Sequence, residues 1–402
     1  MNFHELLVQK EIVQALEEQA IVEPTEIQAK TLPDALQGKD VIGISKTGSG
    51  KTLTFAIPML QRLLPGKGLQ GLVLVPVREL AEQVGKEIKK LAKYKNFNLA
   101  IIYGGVSLMP QSDALRRADI IVATPGRMLD HMERGNVNLS RVTFVVLDEA
   151  DKMASMGFIE DVEKIISKTS KQRQTLLFGA TISEEIARLK SRYMNNPITI
   201  KANAHVDTHL LNQFYYDLDM REKFSFLVHL LKKETPQRAL VFCSTRHMAD
   251  SLTKNLQNQK MDAQVIHGGV SQPSRLRTLE GFHKGRPIIL VATAVAARGL
   301  DIKGVTHVFN YDLPKDPEEY VHQVGRTARA GASGKAITLL AQPDYDKFSK
   351  ILQRFPVKVE KLQKEEFVQV MFEAGRRRFE SNDHRRHDRF QRRERPQQRR
   401  WN

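Results

Sequence analysis

Val41-Ile42-Gly43-Ile44-Ser45-Lys46-Thr47-Gly48-Ser49-Gly50-Lys51-Thr52 joins a short apolar run to a glycine-rich loop that closes on Lys-Thr, and the apolar helical run Leu53–Leu64 follows directly. Strand, loop and helix in that order make a phosphate cradle. Gly48 and Gly50 let backbone amides turn toward a phosphate, Lys51 can reach the β and γ phosphates, and the Thr52 hydroxyl can ligate Mg2+ at the helix N-terminus. Ser45, which stands where the strict pattern has Gly, completes the candidate nucleotide-binding loop with Thr47 and Ser49. A glycine-rich turn without function is the competing explanation, and the strand and helix on either side argue against it.

A second apolar run, Phe144-Val145-Val146-Leu147, delivers Asp148-Glu149-Ala150-Asp151 at its end. Asp148 is placed to hold Mg2+, directly or through water, and Glu149 to orient and deprotonate an attacking water. Three carboxylates in four residues could be a solvated acidic turn, but they emerge from an all-apolar buried strand. The two motifs together specify an Mg2+-dependent nucleoside triphosphatase, without saying what the energy is used for.

Working outward, β-branched runs alternate with helical spacing at Val41–Ser45, Leu72–Pro76, Ala100–Tyr103, Ile120–Thr124, Phe144–Asp148 and Thr175–Thr181. After Ile198-Thr199-Ile200 and a polar stretch the pattern restarts at Gln213–Leu218, Ala239–Ser244, Gln264–His267, Ile288–Thr293, His307–Tyr311 and Ala336–Leu340. This predicts an α/β chain of two units, each a parallel sheet sandwiched by helices, with ligands held in the cleft at the strand ends. The expected boundaries are 1–203 for the ATP-binding unit, 204–212 for a linker, 213–365 for the second unit and 366–402 for a tail.

The 402 residues suit two domains. The chain has 41% hydrophobic and 27% charged residues, too mixed for a fibrous or fully disordered protein, and no apolar run near the ~20 residues of a membrane span. The start carries no secretory signal and Cys243 is the single cysteine, so a cytoplasmic protein is expected. No Cys/His cluster has metal-ligand spacing, leaving Mg2+ as the only metal expected. The net charge is +16, and residues 375–402 carry 11 Arg against four acids, hence +7. With almost no aliphatic residues this tail cannot offset its ordering entropy, so disorder is expected from about 375. Phe379, Phe390 and Trp401 among the arginines suit stacking on unpaired bases while guanidinium groups hold phosphates, with a solubilising tail as the alternative.

Taken with the motifs around it, Asp148-Glu149-Ala150-Asp151 resembles the signature of the DEAD-box family of ATP-dependent RNA helicases. The similarity runs in order through Phe3, Pro24–Gln28, the phosphate loop, Pro76–Ala81, Gly104-Gly105, Thr124–Arg127 and Gly179-Ala180-Thr181, then Val241–Arg246, Gln272 with Arg275, Ala292–Asp301 and His322–Arg329. It covers roughly residues 1–345, and the compact core with a short basic tail is in keeping with a bacterial member.

The resemblance implies two RecA-like domains that close around ATP and a bent RNA strand. It implies that Thr25 and Gln28 read adenine, that Asp301 touches the ribose, and that Arg326 and Arg329 act as arginine fingers beside Lys51, Asp148 and Glu149. Arg78, Gly105, Thr124, Arg127, Thr245, Arg246, Gln272, Arg275 and Thr293 match RNA-contacting positions, while Asp151, Gly179, Thr181 and His322 match positions coupling hydrolysis to unwinding. The implied partner is RNA, single-stranded or a short duplex, gripped without regard to sequence by a monomer, with ribosomal and mRNA-decay assemblies as settings. Local unwinding of short duplexes is the expected activity, and an RNA chaperone or clamp the alternative.

The chain departs from the family pattern at several positions. Ile21 replaces an aromatic residue, Val77 a Thr, Ala294 an Asp, Gln323 an Arg and Ala328 a Gly. Gly179 replaces the Ser that ordinarily bonds Asp151, and loss of that bond is expected to loosen the coupling of hydrolysis to unwinding.

Overall fold

The structure, a computed structural model, describes residues 2–45, 49–202, 211–297, 304–328, 333–355 and 358–373. The first seven strands are β1 (Val41–Ile44), β2 (Gly71–Leu74), β3 (Leu99–Ile102), β4 (Ile120–Ala123), β5 (Phe144–Leu147), β6 (Gln174–Gly179) and β7 (Ile198–Lys201). They form one parallel sheet in the order β3-β4-β2-β5-β6-β1-β7. The second seven are β8 (Leu211–Asp217), β9 (Ala239–Cys243), β10 (Ala263–Ile266), β11 (Ile289–Thr293), β12 (His307–Asn310), β13 (Gly334–Leu340) and β14 (Glu360–Lys361), in the order β10-β11-β9-β12-β13-β8-β14. Adding seven to each strand of the first order gives the second, so the two units are wound identically.

Burial on both faces explains why these strands read as unbroken apolar runs rather than alternating ones. In β5, Phe144 and Val146 enter one core with Phe55, Leu60 and Val84, whereas Val145 and Leu147 enter the other with Met128, Val162 and Ile165. The second sheet divides its cores in the same way, Leu240 and Phe242 on one face and Val241 and Cys243 on the other. Each such side chain removed from water contributes ~1.5–3 kcal/mol before entropy is charged. Phe3, Ile27 and Cys243 are core residues.

Because every strand within a sheet runs the same way, the loops after β1, β5 and β6 emerge on one edge. Helix α1 (Lys10–Glu17) packs its apolar face into the first core, α2 (Glu26–Leu36) lies along α3 (Lys51–Arg62), and α4 (Arg78–Leu91) follows β2. Sequence reading missed β14, a two-residue strand paired with β8, because its residues Glu360 and Lys361 are polar. Residues 366–373, expected to begin the tail, lie against the second unit: Phe367 and Phe372 stack edge-on against Phe226 and Phe224, and Ser225 and Asn255 bond the backbone of Val370 and Glu373. Residues 203–210, most of the expected linker, and 374–402, the arginine-rich tail, lie outside the described residues.

Candidate active site and nucleic-acid interface

The phosphate loop is held from three sides. Lys51 opens α3, is buried, and its Nζ donates to the Ser45 carbonyl at 3.2 Å, while the Ser45 and Ser49 hydroxyls lie 2.9 Å apart. Gly50 has φ +93°, and a Cβ there would fall 2.5 Å from the Gln28 amide, so the turn requires glycine on both counts. Thr52 is partly exposed in the first turn of α3. Thr47 and Gly48 lie outside the described residues.

Thr25 caps α2 and its hydroxyl donates to the Ser49 carbonyl at 2.8 Å. Gln28 is buried; its Nε2 donates to the Gly50 carbonyl at 3.0 Å and its Oε1 accepts from the Thr25 amide at 2.9 Å. Both ends of this side chain are therefore engaged within the protein as a brace between α2 and the loop. The amide's second hydrogen and the carbonyl's second lone pair can meet a base edge without giving up those bonds.

At the end of β5, Asp148 and Glu149 are 3% and 2% exposed. Asp148 accepts from the Glu149 amide at 2.9 Å, and burial, reinforced by the Glu149 charge and opposed by Lys51, pushes its carboxyl up to about 6. Glu149 sits at φ +53°, a left-handed conformation for a side chain that has to leave the strand sharply. Burial raises its carboxyl, but Lys152, Lys51 and Arg326 outweigh burial and hold it below the ordinary value. Lys152 Nζ is 2.7 Å from Glu149 Oε1, both side chains buried, while Glu149 Oε2 is buried with no hydrogen-bond partner among the described residues. Lys152 is a site residue that sequence reading missed; its spacing three residues after Glu149 on the Ala150–Ser155 helix was the available signal.

The second unit reaches this site. Arg326 is buried, its Nε donates to the His322 carbonyl at 3.2 Å, and its charge acts on both Glu149 and Lys152. His322, on the Pro317–Val324 helix, is partly buried and held below the ordinary imidazole value by burial and by Lys152, with Glu319 and Asp151 opposing. Asp301 and Arg329 lie outside the described residues.

The expected loss of a tether at Gly179 is offset in part: the Ala180 amide donates to Asp151 Oδ2 at 3.1 Å, so the end of β6 still holds Asp151. A side chain's hydroxyl is missing there, but a backbone amide is not. Thr181 is exposed in the turn beyond.

Along the same edge, Arg78, Thr124 and Arg127 of the first unit and Arg246, Arg275 and Thr293 of the second line one cleft of about 550 Å3. Arg78 packs so closely over Gly105 (φ +82°) that a Cβ there would fall 2.0 Å from the guanidinium. Thr245 caps the Arg246–Asn258 helix, its hydroxyl accepting from the Met248 amide at 3.1 Å. Gln272 and Arg275 cross to the first unit: both donate to Glu79 Oε1, at 3.0 and 2.9 Å. The two residues expected to hold RNA thus spend a donor each on joining the units. Glu79, in the first turn of α4, belongs to the site although its role was not legible in the sequence.

Residues 25–189 match the family model described as DEAD/DEAH box helicase, and residues 222–331 the helicase conserved C-terminal domain. The chain is 44% identical over 364 residues to the DEAD-box ATP-dependent RNA helicase CshA of Geobacillus kaustophilus, covering 90% of this chain and 78% of that one. To the CshA of a Bacillus cereus strain it is 46% identical over 339 residues, 84% of this chain and 65% of that one, so it spans slightly under two thirds of that relative. Among solved structures it resembles Saccharomyces cerevisiae Dbp5 bound to RNA and ADP BeF3, with TM-score 0.82 at 29% identity, covering 90% and 95% of the two chains. A DEAD box protein from Methanococcus jannaschii is 40% identical over 90% of this chain and 99% of that one, with TM-score 0.55.

Proposed function

Because this chain belongs to the DEAD-box family of ATP-dependent RNA helicases, we propose that it hydrolyses ATP in a pocket completed from both units when RNA draws them together, and that it thereby separates short RNA duplexes locally. One observation carries this reading: both units line one basic cleft, where Gln272 and Arg275 of the second bond Glu79 of the first. The resemblance to the RNA-bound and nucleotide-bound Dbp5 supports it.

In this reading Lys51 and the loop amides hold the phosphates, with Ser45, Thr47, Gly48, Ser49 and Gly50 shaping the loop. Glu149 orients the attacking water on its free Oε2 and takes its proton, while Lys152 holds Oε1 fixed. Arg326 and Arg329 stabilise charge developing on the γ-phosphate, an effect worth ~10^3–10^5 in turnover, so separated units hydrolyse slowly. The site fits Mg2+: a buried carboxyl pushed up to about 6 is one that a divalent cation would stabilise in its charged form. Thr52 and Asp148 would hold the ion, which would offset phosphate charge.

In the cleft, Arg78, Arg127 and Arg246 would bind phosphates, and Gly105, Thr124, Thr245 and Thr293 would offer backbone amides and hydroxyls to the strand. Contacts to phosphate and 2′-hydroxyl groups make such a grip indifferent to base sequence. A strand bent in this cleft cannot keep its A-form stack with a partner, which is how clamping would separate strands. The Ala180 bond to Asp151 favours coupled unwinding over the chaperone alternative.

Hydrolysis measured with and without single-stranded RNA tests the proposal. The rate should rise with RNA and fall by at least two orders of magnitude in Lys51→Ala and Glu149→Gln; an RNA-independent rate would contradict closure as the trigger. Displacement of a labelled strand from a short duplex, dependent on ATP, separates the helicase from the chaperone.

A further inference from the structure

The helices that begin at the cleft run on together beyond it. Arg78 opens α4 and Arg275 lies in the first turn of the Gln272–His283 helix, and both line the cleft. The two helices are bridged at Glu79 and again, about 10 Å further along α4, by Lys86 Nζ to Glu280 Oε1 at 3.1 Å. On each side of this seam lies a basic hollow. In the first unit, Lys86, Lys89, Lys90 and Lys93 line about 510 Å3 against α1, with Glu18 the one acid there and already bonded to Lys93 and Tyr94. In the second unit, Arg277 and Arg286 line about 640 Å3 with Ser274 and Thr278 and one acid, Asp262.

Lys86, Lys89 and Lys90 lie on α4 at spacings of three and four residues, where like charges disfavour the helix, and Lys93 follows just beyond its C-cap. Basic residues in a last turn complement the helix dipole, which accounts for Lys89 and Lys90, and Lys86 and Lys93 have exposed partners in Glu280 and Glu18, but neither effect accounts for the two arginines across the seam. A bound polyanion accounts for all of them.

We propose that these two hollows and the seam between them form a second phosphate track, which holds RNA continuing out of the cleft. This rests on the cleft itself being the RNA site. The track is continuous only when the units are together, so a longer RNA would favour closure more than a short strand that fills the cleft alone.

Full-length protein is titrated by fluorescence anisotropy with a short single strand and with the same strand extended by a duplex on its 5′ or its 3′ side. Lys89→Gln with Lys90→Gln, and separately Arg277→Gln with Arg286→Gln, should leave the short strand unaffected and weaken one extended RNA. Each pair should flatten its dependence of log affinity on log salt by about 1.8, at about 0.9 per lost duplex contact, which makes the loss between about 50 and 200 mM roughly tenfold smaller. Extended RNA bound equally by wild type and both variants would overturn the proposal, as would equal weakening of the short strand. Lysine-dependent capture of polyglutamate with no gain from RNA extension would make the hollow an acidic-protein site and would overturn it too. Failure of wild type to hold the short strand would instead refute the cleft as an RNA site.

Discussion

Glu79→Ala places its cost where the two units meet. In the closed arrangement Glu79 is 5% exposed and receives Gln272 and Arg275 at 3.0 and 2.9 Å, and burial already holds the Arg275 guanidinium below its ordinary pKa. Arg275 Nε has no partner among the described residues, so Glu79 carries most of its compensation. Removing one member of a buried pair costs ~3–5 kcal/mol; because the Arg275 side chain keeps 12% of its exposure, ~2–4 kcal/mol is expected here. With the units apart the same groups are solvated and the substitution is nearly silent, so the cost falls on closure, about 30- to 900-fold in that equilibrium. The assay is ATP hydrolysis against RNA concentration: the half-stimulating RNA concentration should rise by a factor in that range, while the thermal midpoint of the free protein stays in place. A half-stimulating concentration equal to that of wild type would show that closure does not pass through this contact.

Lys152→Met removes the cation 2.7 Å from Glu149 and should lower RNA-saturated kcat by about 10- to 100-fold with little change in the KM for ATP, and Lys152→Arg should restore part of it; an unchanged kcat would refute the positioning role. Ala328 stands at φ +54°, so Ala328→Gly should raise stability by about 0.5–1 kcal/mol, read as a later urea midpoint, and a lower midpoint would show that the left-handed backbone carries no strain. Burial holds His131 and His307 below the ordinary imidazole value, with Arg127 adding to burial at His131 and Glu234 opposing it at His307. At these two positions the unfolded chain binds protons that the folded chain refuses as pH falls through about 6.5, while Asp148, raised to about 6, takes a proton up in the fold and acts in the opposite sense; His131→Asn with His307→Gln should therefore shift the change in urea midpoint between pH 7 and pH 5 toward greater stability at pH 5, and a change identical to that of wild type would contradict this.

Local chemistry made much of this protein legible. Val41–Thr52 and Phe144–Asp151 name their own conformations, because an unbroken apolar run has to be buried on both faces and Gly-x-Gly-Lys-Thr or Asp-Glu-Ala-Asp has to follow it at the strand's carboxyl end. Twelve of the fourteen strands follow from such runs; β7 was not among them, and β14 was not either, since two charged residues on a sheet edge leave no pattern. What the sequence could not decide was which polar groups would be buried and which partners packing would bring to them. Glu79 reads as one carboxylate among many until Gln272 and Arg275 arrive from the other unit; Lys152 reads as a surface lysine until burial forces it onto Glu149. Gly179 suggested a lost tether, and only the path of the chain shows the Ala180 amide supplying one. Burial and hydrogen-bond partners of polar groups depend on tertiary packing, whereas strand, turn and helix starts depend on neighbours in the chain, and that difference in range separates what could be read from what had to be seen.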